Sequence, residues 1–168
     1  MKNRKKTIVG MIDREVLQFT AGSDLVLDRE LVEADCLGSA AHAIMLSRVK
    51  TKKPVLTRKE AARAVRELFR IIEDAGEGKF TITSEDQDVH LAVEKRLTRR
   101  LGDTGRRIHT ARSRNDQSAL DMRLYARTKL LGIMADILKL ADALFNLARK
   151  HRMVPMVGRT HLQPAMPS

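Results

Sequence analysis

A chain of 168 residues, 43% hydrophobic and 32% charged, is long enough to enclose a core and too apolar to stay disordered. Its net charge of +11 points to anionic company: nucleic acid, anionic lipid or a polyanionic small substrate. A single cysteine, Cys36, excludes an internal disulfide framework, and no run approaches the roughly 20 apolar residues of a membrane span.

The opening MKNRKK is basic, but the TIVGMID that follows is too short and too soon charged for a signal-peptide core, so a cytoplasmic location is expected. Aromatic residues make up 3% of the chain and Trp is absent, which leaves Leu, Ile, Val, Met and Ala to build the core. That palette suits packed helices, and the expected fold class is all-α. Residues 28–49 carry Leu31, Val32, Ala34, Leu37, Ala40, Ala41, Ile44 and Met45 at helical spacing. Thr57 and Glu60 form a capping box that opens a helix through residue 72, and the glycines at 76 and 78 close it. FTIT at 80–83 reads as a short extended piece. Ser84 and Gln87 offer a second capping box for a helix to about residue 101, stopped by Gly102 and Gly105.

From 115 to 152 no proline interrupts, giving a predicted helix of about 55 Å. Over residues 130–148 the only non-apolar residues are Gly132, Asp136, Lys139, Asp142 and Asn146. Their spacing of three and four places them on one narrow stripe, so this helix needs neighbours on nearly every side, as inside a bundle. Oligomerisation or further chain is expected to supply them. In MVGRTHLQPAMPS a turn is expected at Gly158 with breaks at Pro164 and Pro167.

Three stretches hold residues of chemical interest. At the junction HTARSRNDQ (109–117), Ser113 and Asn115 are both good N-cap residues, and Asp116 suits a first helical turn. The N–H groups of such a turn, with Arg112 and Arg114 beside them, form a pocket for a carboxylate; ordinary capping with two solvated arginines explains the same residues. His90 follows Asp86 by four residues, a helical spacing that lets the acid orient the imidazole, or that marks a plain surface contact. His161, beside Thr160 and Gln163 in a Gly- and Pro-bounded loop, reads as a proton-transfer group or as a loop histidine without chemistry. His42 lies on an apolar helical face and reads as a satisfied packing residue. No cluster has metal-ligand spacing, no Gly-rich phosphate loop is present, and Cys36 has no activating neighbour. Nucleic-acid binding is disfavoured, because the chain lacks stacking aromatics and its cations are interleaved with acids.

Taken together these stretches resemble one family. HTARSRNDQ is similar to the HTGRSRNDQ of argininosuccinate lyases, and EDQDVHLAVEKRL resembles their EDxHxAxE segment. GRTHLQPAMP resembles their GYTHLQPAQP turn, and FTAG…LDREL…DCLGSAAHAIML (19–46) resembles their N-terminal region. The likeness is collinear over essentially the whole chain. It implies an N-terminal helical domain over 1–112 and, over 113–168, the start of a central helical bundle with its first long helix.

The resemblance also implies an activity: β-elimination of argininosuccinate to arginine and fumarate, in arginine biosynthesis, without metal or cofactor. Ser113, Arg114 and Asn115 match the family's substrate-binding trio, and His90 matches its substrate-side histidine. Thr160 matches a substrate contact, His161 the histidine assigned to proton transfer, and Ser23 an N-terminal substrate serine. The family's GSSxMPxKxNP loop, which carries the favoured catalytic base, has no counterpart in 1–168. Its active sites are shared among subunits of a homotetramer. The partners implied are therefore other copies or a C-terminal half-protein, and the chain alone is expected to be inactive. A non-enzymatic helical scaffold of the same superfamily is the alternative, and a basic nucleic-acid-binding module a remote one.

Overall fold

The computed structural model describes residues 4–7, 10–13, 15, 16, 19, 22–83 and 85–167. The chain divides into two compact units, Met1–Ala126 and Arg127–Ser168. Helices dominate, as the composition predicts. Strands occur among the described residues as two antiparallel hairpins, β1 (Arg4–Thr7) with β2 (Gly10–Asp13) and β3 (Val157–Thr160) with β4 (Gln163–Pro167).

In the first unit a short helix α1 (Asp24–Leu27) runs through a 3-10 turn (Asp28–Leu31) into α2 (Val32–Leu46). The predicted helix over 28–49 is thus tightened in its first turn and ends three residues early. The small side chains of α2 (Ala34, Cys36, Gly38, Ser39, Ala40 and Ala43) are buried and let neighbouring elements approach closely. A Cβ at Gly38 would stand 2.8 Å from Leu120 Cδ2, so the glycine leaves room for that side chain.

Helix α3 (Arg58–Gly76) opens on the predicted capping box: Glu60 N–H donates to Thr57 Oγ1 at 3.2 Å, and Thr57 N–H donates to Glu60 Oε2 at 2.7 Å. The Thr57 backbone N–H and the Arg107 guanidinium hold the Glu60 carboxyl down at about 2. Ala61, Ala64, Leu68 and Ile71 repeat every three or four residues and face the core. Glu67 is buried among them because Arg70, Arg96 and Arg100 surround its carboxylate at 3.4–3.6 Å.

Helix α4 (Val89–Leu101) does not start at the predicted box. Ser84 lies outside the described residues, and Asp88 is the cap, its Oδ1 accepting Leu91 N–H at 2.7 Å. Phe80–Thr83 is irregular rather than a strand. The core joins Val32, Cys36, Ala40, Leu46, Leu56, Leu68, Ile71, Val89, Val93 and Leu97 with Ile108 beyond α5 (Asp103–Arg107). Gly105 makes that last contact possible, since a Cβ there would lie 2.5 Å from the Leu97 carbonyl oxygen.

Helix α6 (Arg114–His151) is close to the predicted 115–152. In the second unit its apolar side chains lie open: ten large ones between Leu130 and Leu147 are 55–67% exposed. The terminal segment departs from expectation. Its reversal falls at His161 and Leu162, both left-handed with φ of 49° and 62°, rather than at Gly158, and residues 163–167 pair as β4 instead of breaking off.

Gly105→Ala is expected to lower unfolding stability by about 1–3 kcal/mol, because the clash is with backbone and cannot be relieved by a rotamer. Urea denaturation of the two proteins measures it, and an unchanged midpoint would contradict the close approach.

Candidate functional site

Three residues from three helices converge beneath the start of α6. Asp35 on α2 and Asp121 on α6 are each 1% exposed, and His90 on α4 is 6% exposed. His90 Nδ1 lies 3.1 Å from Asp35 Oδ1 and 3.4 Å from Asp121 Oδ2, while its Nε2 meets Ser118 Oγ at 3.2 Å. Gln117 extends the network, its amide donating to Asp35 Oδ1 at 3.0 Å and its carbonyl pairing with His109 Nε2 at 3.1 Å. Arg112 enters from the preceding loop and donates from Nη2 to Ser39 Oγ at 3.0 Å.

The predicted pairing of His90 with Asp86 is not formed. Asp86 lies before the helix and accepts from Thr83 and Lys95 instead. The i, i+4 argument fails because the helical register begins at Asp88, so the true partners come from 55 residues upstream and 31 downstream. Neither partner carried a local signal, since each is a lone acid within an apolar helical pattern.

Burial and the neighbouring Asp35 charge push Asp121 up to about 7. For His90, burial opposes the charged form, yet the Asp35 hydrogen bond and the charges of Asp35, Asp88 and Asp121 outweigh it and raise its pKa. Burial lowers the pKa of Arg112. Asp35 Oδ2, Asp121 Oδ2 and Arg112 Nε have no hydrogen-bond partner, although all are enclosed. Nδ1 and the two carboxylate oxygens lie within 4.8 Å of one another, close enough to share an ion. The 3.1 Å separation from Asp35 is an N–H···O hydrogen bond, the 3.4 Å approach of Asp121 is a charge contact, and the adjoining cavity of about 10 Å³ has room for roughly one water.

Above this cluster the predicted trio opens α6. Ser113 Oγ accepts Asn115 N–H at 3.0 Å and Asp116 Oδ2 accepts Ser113 N–H at 2.9 Å, so Ser113 is the cap. Asn115 is exposed at the same turn. Arg114 Nε approaches Asp88 Oδ2 at 3.7 Å, which ties the start of α6 to the start of α4. Arg112 does not join the open face; it turns inward to the acids. The structure therefore brings His90, Ser113, Arg114 and Asn115 to one corner.

The remaining candidates are described separately. Ser23 is exposed, and its carbonyl accepts Val26 and Leu27 N–H at the start of α1. Thr160 and His161 are exposed in the β3–β4 hairpin of the second unit. His42 donates from Nε2 to the Thr110 carbonyl at 2.9 Å, a satisfied structural contact. Burial pushes the Cys36 thiol upward, away from reactivity. Two larger open clefts, of about 530 and 440 Å³, contain none of the predicted site residues.

A sequence profile of the lyase family matches residues 17–168. The chain is similar to argininosuccinate lyases of Bacteroides fragilis (41% identity over 157 residues), Nitratiruptor sp. (41% over 150) and Stenotrophomonas maltophilia (41% over 160). These matches cover 94%, 89% and 94% of the chain and 34%, 31% and 36% of the relatives, so the chain spans about a third of their length. Among the described residues no helix is long and apolar enough to cross a membrane.

The two raised groups give the cluster a pH signature. Asp121 holds its proton when folded and releases it near pH 4 when unfolded, so its stabilisation is complete below pH 4 and is lost as pH rises through 7. His90 adds a loss of the same sign above pH 6.5. Between pH 5 and pH 8 the chain is expected to lose roughly 2–3 kcal/mol of stability, and Asp121→Asn to flatten that slope. Urea midpoints across this range test it; equal slopes in the two proteins would refute it.

Proposed function

The chain belongs to the lyase family, and from that membership we propose that it carries the N-terminal part of an argininosuccinate lyase acting in arginine biosynthesis in the cytoplasm. The observation that carries the reading is the corner where His90, the Ser113 cap, Arg114 and Asn115 meet. A helix start with a guanidinium and two polar side chains is suited to gripping a substrate carboxylate. The proposed substrate, argininosuccinate, bears three carboxylates, which accounts for the basic balance of the chain better than nucleic acid does.

In the proposed β-elimination a base removes a proton beside a carboxylate, and the bond to the guanidino nitrogen then breaks to leave fumarate and arginine. Charge accumulates on that carboxylate as an aci-carboxylate. Donors already aimed at it stabilise the transition state by roughly 3 kcal/mol each. Ser113, Arg114, Asn115 and His90 take that role, with Ser23 and Thr160 as further substrate contacts. His161 serves in proton transfer; its exposed place in a hairpin turn leaves the ring accessible.

The elimination base is not assigned to any residue of this chain, so a complete site needs additional polypeptide. The exposed apolar side of α6 supports the same conclusion. Further copies, forming a homotetramer, or a C-terminal half-protein would cover that side. We assign residues 1–112 to an N-terminal helical domain and 113–168 to the beginning of the bundle.

Joining residues 1–168 to the part of the Bacteroides fragilis relative beyond the matched third tests the reading. The chimera is expected to release fumarate from argininosuccinate, followed by ultraviolet absorbance, while residues 1–168 alone release none. Ser113→Ala and Asn115→Ala are expected to cut kcat/KM by about 100-fold each. A folded chimera without turnover, or one indifferent to both substitutions, would sink the proposal.

A further inference from the structure

The lyase reading gives His90 a role and leaves the two acids behind it without one. Both are 1% exposed, come from different helices and converge on the same ring nitrogen, Nδ1, at 3.1 and 3.4 Å. The other nitrogen, Nε2, faces the hydroxyl of Ser118, an exposed residue on the first turns of α6. A lone pair on Nδ1 would oppose Asp35 Oδ1 at hydrogen-bond distance, so this nitrogen carries a proton. A hydroxyl at Nε2 accepts a proton as readily as it donates one, so that nitrogen is free to be N–H as well.

We propose that Asp35 and Asp121 are positioning residues that hold the His90 imidazole doubly protonated and present its Nε2–H outward, to the place now taken by the Ser118 hydroxyl, as a cationic donor for a ligand carboxylate. The purpose assigned to the donor rests on the lyase reading; the protonation device does not.

The surrounding charges favour it. Facing the ring are Asp35 from α2, Asp121 from α6 and Asp88 at the α4 cap, with Asp28 of the 3-10 turn accepting Val89 N–H beside them. On the basic side stand Arg112, held at Ser39, and Arg114, held at Asp88. Glu94 and His109 line the adjoining water-sized cavity. The nearest acids therefore outnumber the nearest guanidinium groups. Asp35 Oδ1 accepts from His90 and from the Gln117 amide, whereas Asp121 Oδ2 has no hydrogen-bond partner and meets the ring through charge at 3.4 Å. A cationic ring offsets the acidic balance of that pocket.

The test is a nitrogen-15 NMR titration of the histidine rings in the 168-residue chain. At pH 7 both ring nitrogens of His90 are expected at protonated positions, with the Nδ1 proton in slow exchange. Asp35→Asn is expected to lower the His90 pKa by about one unit or more, Asp121→Asn to lower it by a smaller amount, and Ser118→Ala to leave it in place. If Asp35→Asn does not fold, Asp121→Asn and the wild-type spectrum still decide. An unprotonated Nδ1 in the wild type, or folded Asp121→Asn with an unmoved His90 titration, overturns the proposal. Failure of the lyase reading appears separately, as a chimera without turnover, and does not touch this titration.

Discussion

Everything at the junction of the first unit depends on one costly arrangement: two carboxylates and an imidazole held out of water, with a guanidinium beside them. Burying charge in this way is not a route to stability, since apolar side chains of the same volume usually serve as well or better. Alanine, valine and leucine supply the rest of the core in abundance. The acids also retain enclosed oxygens without partners, a defect that a purely structural core avoids. Such a cost marks a place where the chain is shaped for chemistry rather than for packing.

The same cluster explains why the helices sit where they do. Asp35 fixes α2, His90 fixes α4 and Asp121 fixes α6, so one network joins three elements that are distant in sequence. Around it, Asp28 holds the first N–H of α4 and Arg114 reaches the Asp88 cap. Gly38 admits Leu120 from α6 alongside, and Gly105 lets the segment carrying His109 and Arg112 approach α4. The placement of Ser113 at the head of α6 is a consequence of these contacts. The corner formed by Ser113, Arg114 and His90 thus rests on a polar base that joins three helices.

Local signals were legible in the sequence and non-local ones were not. Thr57 and Glu60 announced a helix start because both halves of that interaction lie within three residues. The long α6 was legible from its unbroken apolar pattern and from Ser113. The start of α4 was misplaced because SEDQD offers several capping residues, and only tertiary contact selects Asp88 among them. That small error in register assigned Asp86 to His90, whereas Asp35 and Asp121 were indistinguishable from surface acids until the helices packed. The terminal hairpin escaped because two left-handed residues, His161 and Leu162, form its turn without the glycine or asparagine that usually signals one.

Two features stand out in this chain: in the first unit a polar corner built on buried acids, and in the second a helix with apolar residues laid open. A carboxylate pocket open to bulk water would lose most of its electrostatic grip to solvent screening, because charge interactions strengthen only as water is excluded. The exposed leucines, isoleucines and methionines of α6 are the kind of surface that recruits further polypeptide by burying apolar area. Covering that surface would bury the apolar area those side chains now present to water.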